Sequence, residues 1–149
     1  MRTICIITWL LGFVFFSNGS AEACSCAEVS LAEAIAKYDA VFVGKVVKLE
    51  VTRDRDARPH DDIRVDDIRA TVETREIIKG QPGKVVEFST DNGCCYCSFG
   101  FEIAEEYLLF AKEAKDGTYS TSLCSRSRKL VEAAADLKTL GIERPLREQ

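Results

Sequence analysis

A mainly β chain folded as a five-stranded barrel, closed or partly open, with a short helix before it and another after it, is the architecture this sequence predicts. Three observations carry that expectation. Apolar residues alternate at period two through Val41 to Val51, Ile68 to Thr74 and Val86 to Thr90. Strong turn signals, Lys79-Gly80-Gln81-Pro82-Gly83 and Asp116-Gly117, separate the runs. Helical spacing returns only at the two ends. A barrel buries five strand faces without leaving long exposed edges.

The first 23 residues read as a removable leader. Arg2 gives a small positive start, Ile4 to Phe16 are apolar but too short to span a bilayer, and Ser17-Asn18-Gly19-Ser20 follow. Ala21-Glu22-Ala23 is a small-x-small pattern of the kind a signal peptidase cuts, which would make Cys24 the mature amino terminus. Acylation of Cys24 as a lipoprotein is a rival, and Glu22 fits a lipobox poorly. The Asn18-Gly19-Ser20 sequon leaves with the leader. The expected organisation is therefore a signal peptide at 1–23 and one domain at 24–149.

Within that domain, Ser30 followed by Glu33 is a capping box, and Leu31, Ile35 and Tyr38 define a short helix ending near Lys37. The first strand starts at Ala40, with Val41, Val43, Val47, Leu49 and Val51 expected on one face and Gly44 marking a bulge or tight bend. Arg53 to Asp67 is crowded with Arg and Asp and reads as a solvated hairpin loop, available to a partner. Ile68, Ala70, Val72 and Thr74 form the inward face of the second strand, and Val86, Phe88 and Thr90 that of the third. Glu106-Tyr107-Leu108-Leu109-Phe110-Ala111 is a continuous apolar run suited to a buried strand. Tyr119 to Leu123 is the fifth strand, closed by Cys124. Leu130, Ala134, Leu137 and Leu140 give the last helix, with Gly141 as its stop.

Of seven cysteines, Cys5 leaves with the leader, and Cys24, Cys26, Cys94, Cys95, Cys97 and Cys124 remain. An even number in an exported chain points to a disulfide framework. Bridges from the amino terminus to cysteines some 70 and 100 residues later would each remove at most about 4–5 kcal/mol of unfolded-state freedom.

The net charge of −4 survives loss of the leader, which carries one Arg and one Glu. An acidic chain without a basic stripe is a poor ligand for nucleic acid or an anionic membrane. Thiolate binding of copper(I) or zinc by Cys24, Cys26, Cys94, Cys95 and Cys97 competes with oxidation in an exported chain. Cys94-x-x-Cys97 has oxidoreductase spacing without the parallel crossover such enzymes use. His60 reads as solvated, Asp61-Asp62 and Asp66-Asp67 as a loop face lacking a calcium-ligand pattern, and Phe88, Tyr107, Phe110 and Tyr119 as core. The chain is not expected to be an enzyme or to carry a cofactor of its own.

The start Cys24-Ser25-Cys26, the strand Val41-Phe42-Val43-Gly44-Lys45-Val46, the turn Lys79-Gly80, the block Cys97-Ser98-Phe99-Gly100-Phe101-Glu102-Ile103-Ala104-Glu105-Glu106-Tyr107-Leu108 and Cys124 together resemble the tissue inhibitor of metalloproteinases family. The likeness is to its amino-terminal, netrin-like domain, an OB-fold barrel, in short bacterial-type members that lack the second subdomain of the animal inhibitors.

The resemblance implies a protein partner, a zinc metalloprotease, and a chemistry that depends on a free amino terminus. An α-amino group has a pKa near 8, so part of it is neutral and can give a lone pair to a metal. The Cys24 amine and carbonyl would chelate the protease zinc in place of its catalytic water. Ser25 would enter the primed-side pocket, Cys26, Ala27 and Glu28 would continue the ridge, and Cys94, Cys95 and Tyr96 would form a second edge. By the same resemblance Cys24 pairs with Cys97 and Cys26 with Cys124. Three cysteines stand where the family has one, however, and Cys94 fits the longer spacing of animal members. The partner of Cys24 thus stays open, and the spare pair could form a vicinal bridge, cross-link another chain or remain as thiols. A secreted monomer is expected, with the periplasm or a lipid anchor as alternatives. A non-inhibitory binding or adhesion module on the same fold is the competing function.

Overall fold

The computed structural model describes residues 26–53, 66–91 and 98–142. The leader, the cut before Cys24, His60 with Asp61-Asp62, and the cluster Cys94 to Cys97 lie outside the described residues.

Helix α1 spans Leu31–Lys37 and begins where its sequence says it should. Ser30 Oγ accepts from the Glu33 amide at 3.3 Å while Glu33 Oε2 accepts from the Ser30 amide at 3.0 Å, so two amides that the first turn leaves unpaired are satisfied reciprocally. Strands β1 (Ala40–Arg53), β2 (Asp66–Lys79), β3 (Val85–Asp91), β4 (Glu106–Glu113), β5 (Tyr119–Ser120) and β6 (Arg128–Lys129) follow, then a 3₁₀ turn at Leu130–Glu132 and helix α2 at Ala134–Thr139.

The strands close. β1 pairs antiparallel with β2 and β4, β2 with β3, and β4 with β5, while β3 and β5 meet in parallel at Phe88 and Tyr119. This is a five-stranded OB-fold-like barrel, as expected. Its interior holds Phe42, Val46, Ala70, Val72, Val86, Phe88, Tyr107, Leu109 and Tyr119. A second cluster forms outside the wall, where Ala34, Tyr38, Leu130 and Leu137 cover Val41, Val43, Leu108 and Phe110. β4 and the first half of β1 are therefore buried on both faces, which is why β4 reads as an unbroken apolar run.

The expected single face of β1 needs correction. Val41 and Val43 face the helices, whereas Phe42 and Val46 face the barrel interior. Register shifts at Val43/Gly44 and Val46/Lys48 then change the phase, so Leu49 packs inward while Val47 and Val51 are 46% and 59% exposed. Gly44 permits the tight coil: a Cβ there would collide with the Val72 side chain and press on Phe42.

The fifth strand also departs from expectation. It ends at Ser120, Cys124 lies in a turn, and β6 resumes pairing on the same β4 edge. Hydroxyls take over between them. Thr121 Oγ1 donates to the Phe110 carbonyl at 2.9 Å, and Ser127 Oγ accepts from the Phe110 amide at 2.8 Å. Side chains thus complete the ladder bonds that a continuous strand would have made through its backbone. The last helix is likewise shorter than its apolar spacing suggests, because the 3₁₀ turn occupies its first residues.

Candidate functional site

Cys26, Ala27 and Glu28 form an exposed strip without regular secondary structure, directly before the Ser30 cap of α1. Cys26 is bonded to Cys124 across 98 positions, with Cα atoms 5.2 Å apart, the pairing the resemblance implies for these two residues. The strip is consequently fastened to the turn between β5 and β6.

That turn is itself well fixed. Thr121 Oγ1 lies 2.7 Å from Ser125 Oγ and 2.8 Å from Ser127 Oγ, and the Ser125 amide donates to the Ser122 carbonyl at 3.0 Å. Ser125 and Ser127 are buried, so satisfied hydroxyls rather than apolar packing hold the loop. Beyond it, Arg126 Nη1 donates to the Val29 carbonyl and Nη2 to Asp136 Oδ1, each at 2.6 Å. Cys26 to Ser30, Glu33, Leu123, Cys124, Arg126 and Arg128 line an open groove of about 590 Å³.

A second segment arrives at the same place. Ser98, immediately after the cysteine cluster, forms a β-bridge with Ser122, two residues before Cys124. Its continuation is anchored by rings: Phe99 stacks edge-on against Phe101 at 5.0 Å and Tyr107 at 5.5 Å, and Phe101 sits 5.2 Å from Phe88. Tyr107 accepts from the Glu102 amide at 2.9 Å, and burial pushes its phenol above the usual range, keeping it neutral. Lys129 on β6 pairs with Glu102 at 2.7 Å, and that hydrogen bond raises the ammonium's pKa.

Of the residues singled out from sequence, the structure brings Cys26, Ala27, Glu28 and Cys124 together. Cys24, Ser25, Cys94, Cys95, Tyr96 and Cys97 lie outside the described residues; Ser98 is the first described residue after the last of them. Phe88, Tyr107, Phe110 and Tyr119 are buried core. Arg126 and Asp136 escaped the sequence reading, since neither belongs to an apolar period. The trace of Arg126 is the alternation Ser125-Arg126-Ser127-Arg128 after a cysteine, and Asp136 leaves none. Among the described residues no group of three or more His, Cys, Asp or Glu side chains could hold a metal. Nor is any described helix long and apolar enough to cross a membrane.

The family model described as tissue inhibitor of metalloproteinase matches residues 22–137. No curated protein matches the chain.

Proposed function

The chain belongs to the tissue inhibitor of metalloproteinase family, and from that premise we propose that it is an exported inhibitor that presents a free Cys24 to the zinc of a target protease. The observation that carries this reading is the exposed strip 26–28, held at its start by the Cys26–Cys124 bridge. A wedge that enters a cleft must be both solvent-exposed and already ordered, because ordering it on binding subtracts from affinity.

In this reading Cys24 supplies its amine lone pair and carbonyl oxygen, which requires removal of residues 1–23 and an unmodified terminus. The zinc belongs to the protease, and occupying its open position excludes the water that would attack the peptide bond. Ser25 fills the adjoining pocket. Ala27 and Glu28 extend the contact, and the loop that ends at Ser98 lies along the other side.

The test is intact mass and amino-terminal sequencing of the protein made by its own host, followed by titration against a panel of zinc metalloproteases. A free Cys24 with stoichiometric inhibition is the expected result. An acylated or extended terminus would overturn the chelating wedge and leave a tethered binding module. A free terminus that inhibits nothing would assign the same barrel to binding or adhesion. Adding one alanine before Cys24 should abolish inhibition and leave folding intact.

A further inference from the structure

The strip 26–28 has a second fastening besides its bridge. A disulfide at Cys26 fixes one end of the strip, and the other end runs into Val29, which packs against the helix-side cluster just before the Ser30 cap. Three residues on, Arg126 takes the Val29 carbonyl at 2.6 Å, reaching a residue 97 positions earlier in the chain. Its other nitrogen holds Asp136 Oδ1 at 2.6 Å on α2, where the Asp136 side chain is 10% exposed and that of Arg126 25%. Arg126 sits at φ +69, a conformation that non-glycine residues seldom adopt. Arg128 supports it from the start of β6, with Nε donating to the Arg126 carbonyl at 3.3 Å and Nη2 lying 3.9 Å from Asp136 Oδ2.

We infer that Arg126, braced by Asp136, is a positioning residue for inhibition: it fixes the backbone at the end of the exposed strip so that the amino-terminal wedge meets its target ordered. The inference rests on the inhibitor reading above. The geometry suits arginine in particular. A planar guanidinium can hold a carbonyl on one side and a carboxylate on the other, whereas a lysine ammonium presents a single point of charge. Helix α2, remote in sequence from the wedge, thereby governs its order.

The test uses the full exported chain with the Cys26–Cys124 bridge verified by mass. Inhibition constants and backbone order parameters are measured for wild type, Arg126→Met, Arg126→Lys and Asp136→Asn. Releasing one or two backbone residues should weaken inhibition about 10-fold or more in Arg126→Met. Order parameters at Ala27 and Glu28 should fall below about 0.6 while the strands stay near 0.85. Arg126→Lys should recover part of the loss, and Asp136→Asn combined with Arg126→Met should add little to Arg126→Met alone. Val86→Ala, in the barrel core, should lower Tm without changing the inhibition constant.

An Arg126→Met chain that loses Tm but keeps both the inhibition constant and the order at Ala27 and Glu28 would overturn the inference and leave the inhibitor reading standing. A wild-type chain that inhibits no protease would overturn both. If Arg126→Met fails to fold, Arg126→Lys and Asp136→Asn carry the same comparison, and wild-type inhibition and order in both would overturn it.

Discussion

Lys79 Nζ donates to the Tyr38 carbonyl at 2.6 Å, joining the last residue of β2 to the residue that caps the end of α1. The same ammonium reaches the Ile35 carbonyl at 2.6 Å and the Ala36 carbonyl at 3.3 Å. These are carbonyls that the last turn of a helix leaves unpaired, at the end where its dipole favours a cation. Lys79→Met keeps the aliphatic stem and removes the donor. It should lower stability by about 1–3 kcal/mol in urea denaturation, since charged hydrogen bonds to partly buried carbonyls are lost. A change within about 0.5 kcal/mol, the range of ordinary surface substitutions, would mean that water replaces the ammonium without penalty.

Gly80 and Gly117 share φ +82 but not their surroundings. A Cβ on Gly80 would lie 2.6 Å from the Asp39 carbonyl oxygen, whereas one on Gly117 would meet nothing within 4 Å. Gly117→Ala should therefore show only the backbone penalty, about 1–2 kcal/mol. Gly80→Ala should show that penalty plus the displacement of the Asp39–Ala40 backbone, for a total clearly above that of Gly117→Ala. Thermal unfolding of the two variants side by side decides the point, and equal losses would refute the steric argument.

The sequence was most readable where one local rule acts alone. Ser30 and Glu33 fixed the start of α1, and Val86, Phe88 and Thr90 revealed a strand with one buried face. Legibility failed where two surfaces compete for one strand. Val41 and Phe42 are both buried because helices cover one side of β1 and the barrel lies on the other, and no period-two rule assigns them. The bulge at Val46/Lys48 is set by cross-strand pairing, invisible in β1 alone. Thr121 read as a strand residue and Ser127 carried no signal, yet their hydroxyls complete the hydrogen bonding of Phe110, a relationship that exists only once the chain has folded.

Asp39 gives a pH dependence of definite sign. Its Oδ2 accepts from the Glu113 amide at 3.1 Å and its Oδ1 from Lys112 Nζ at 3.2 Å. These bonds, the backbone one foremost, hold its carboxyl below the ordinary value of 3.8. A depressed folded-state pKa contributes stability that is present above pH 3.8 and is lost as pH falls through the lower folded-state value. Asp39→Asn should accordingly be less stable than wild type at neutral pH, and the gap should close in acid below pH 3.8. Urea midpoints for both chains from neutral pH downward measure it. A gap that does not change with pH would show that the carboxylate's charge contributes nothing.

Removing the Cys26–Cys124 bridge separates stability from order in the candidate site. The bond closes a loop with a sequence separation of 98, and losing such a constraint from a small exported domain costs about 2–5 kcal/mol. Both bonded atoms lie outside the barrel's two apolar clusters, so the strand pairing of β1 to β5 does not depend on them. A Cys26→Ala/Cys124→Ala chain should thus keep the far-ultraviolet circular dichroism of the native barrel at low temperature while its Tm falls. Inhibition should be lost well below that Tm, because the strip is then held only at its Val29 end, by Arg126 and the capped start of α1, and its leading residues are free. If the double variant inhibits as well as wild type while folded, the bridge stabilises the fold only, and the order of the wedge comes from its Val29 end, where Arg126 and the start of α1 hold it. If instead it loses both stability and inhibition in proportion to the fraction unfolded, the two properties share one origin and the strip is ordered only as part of the whole barrel.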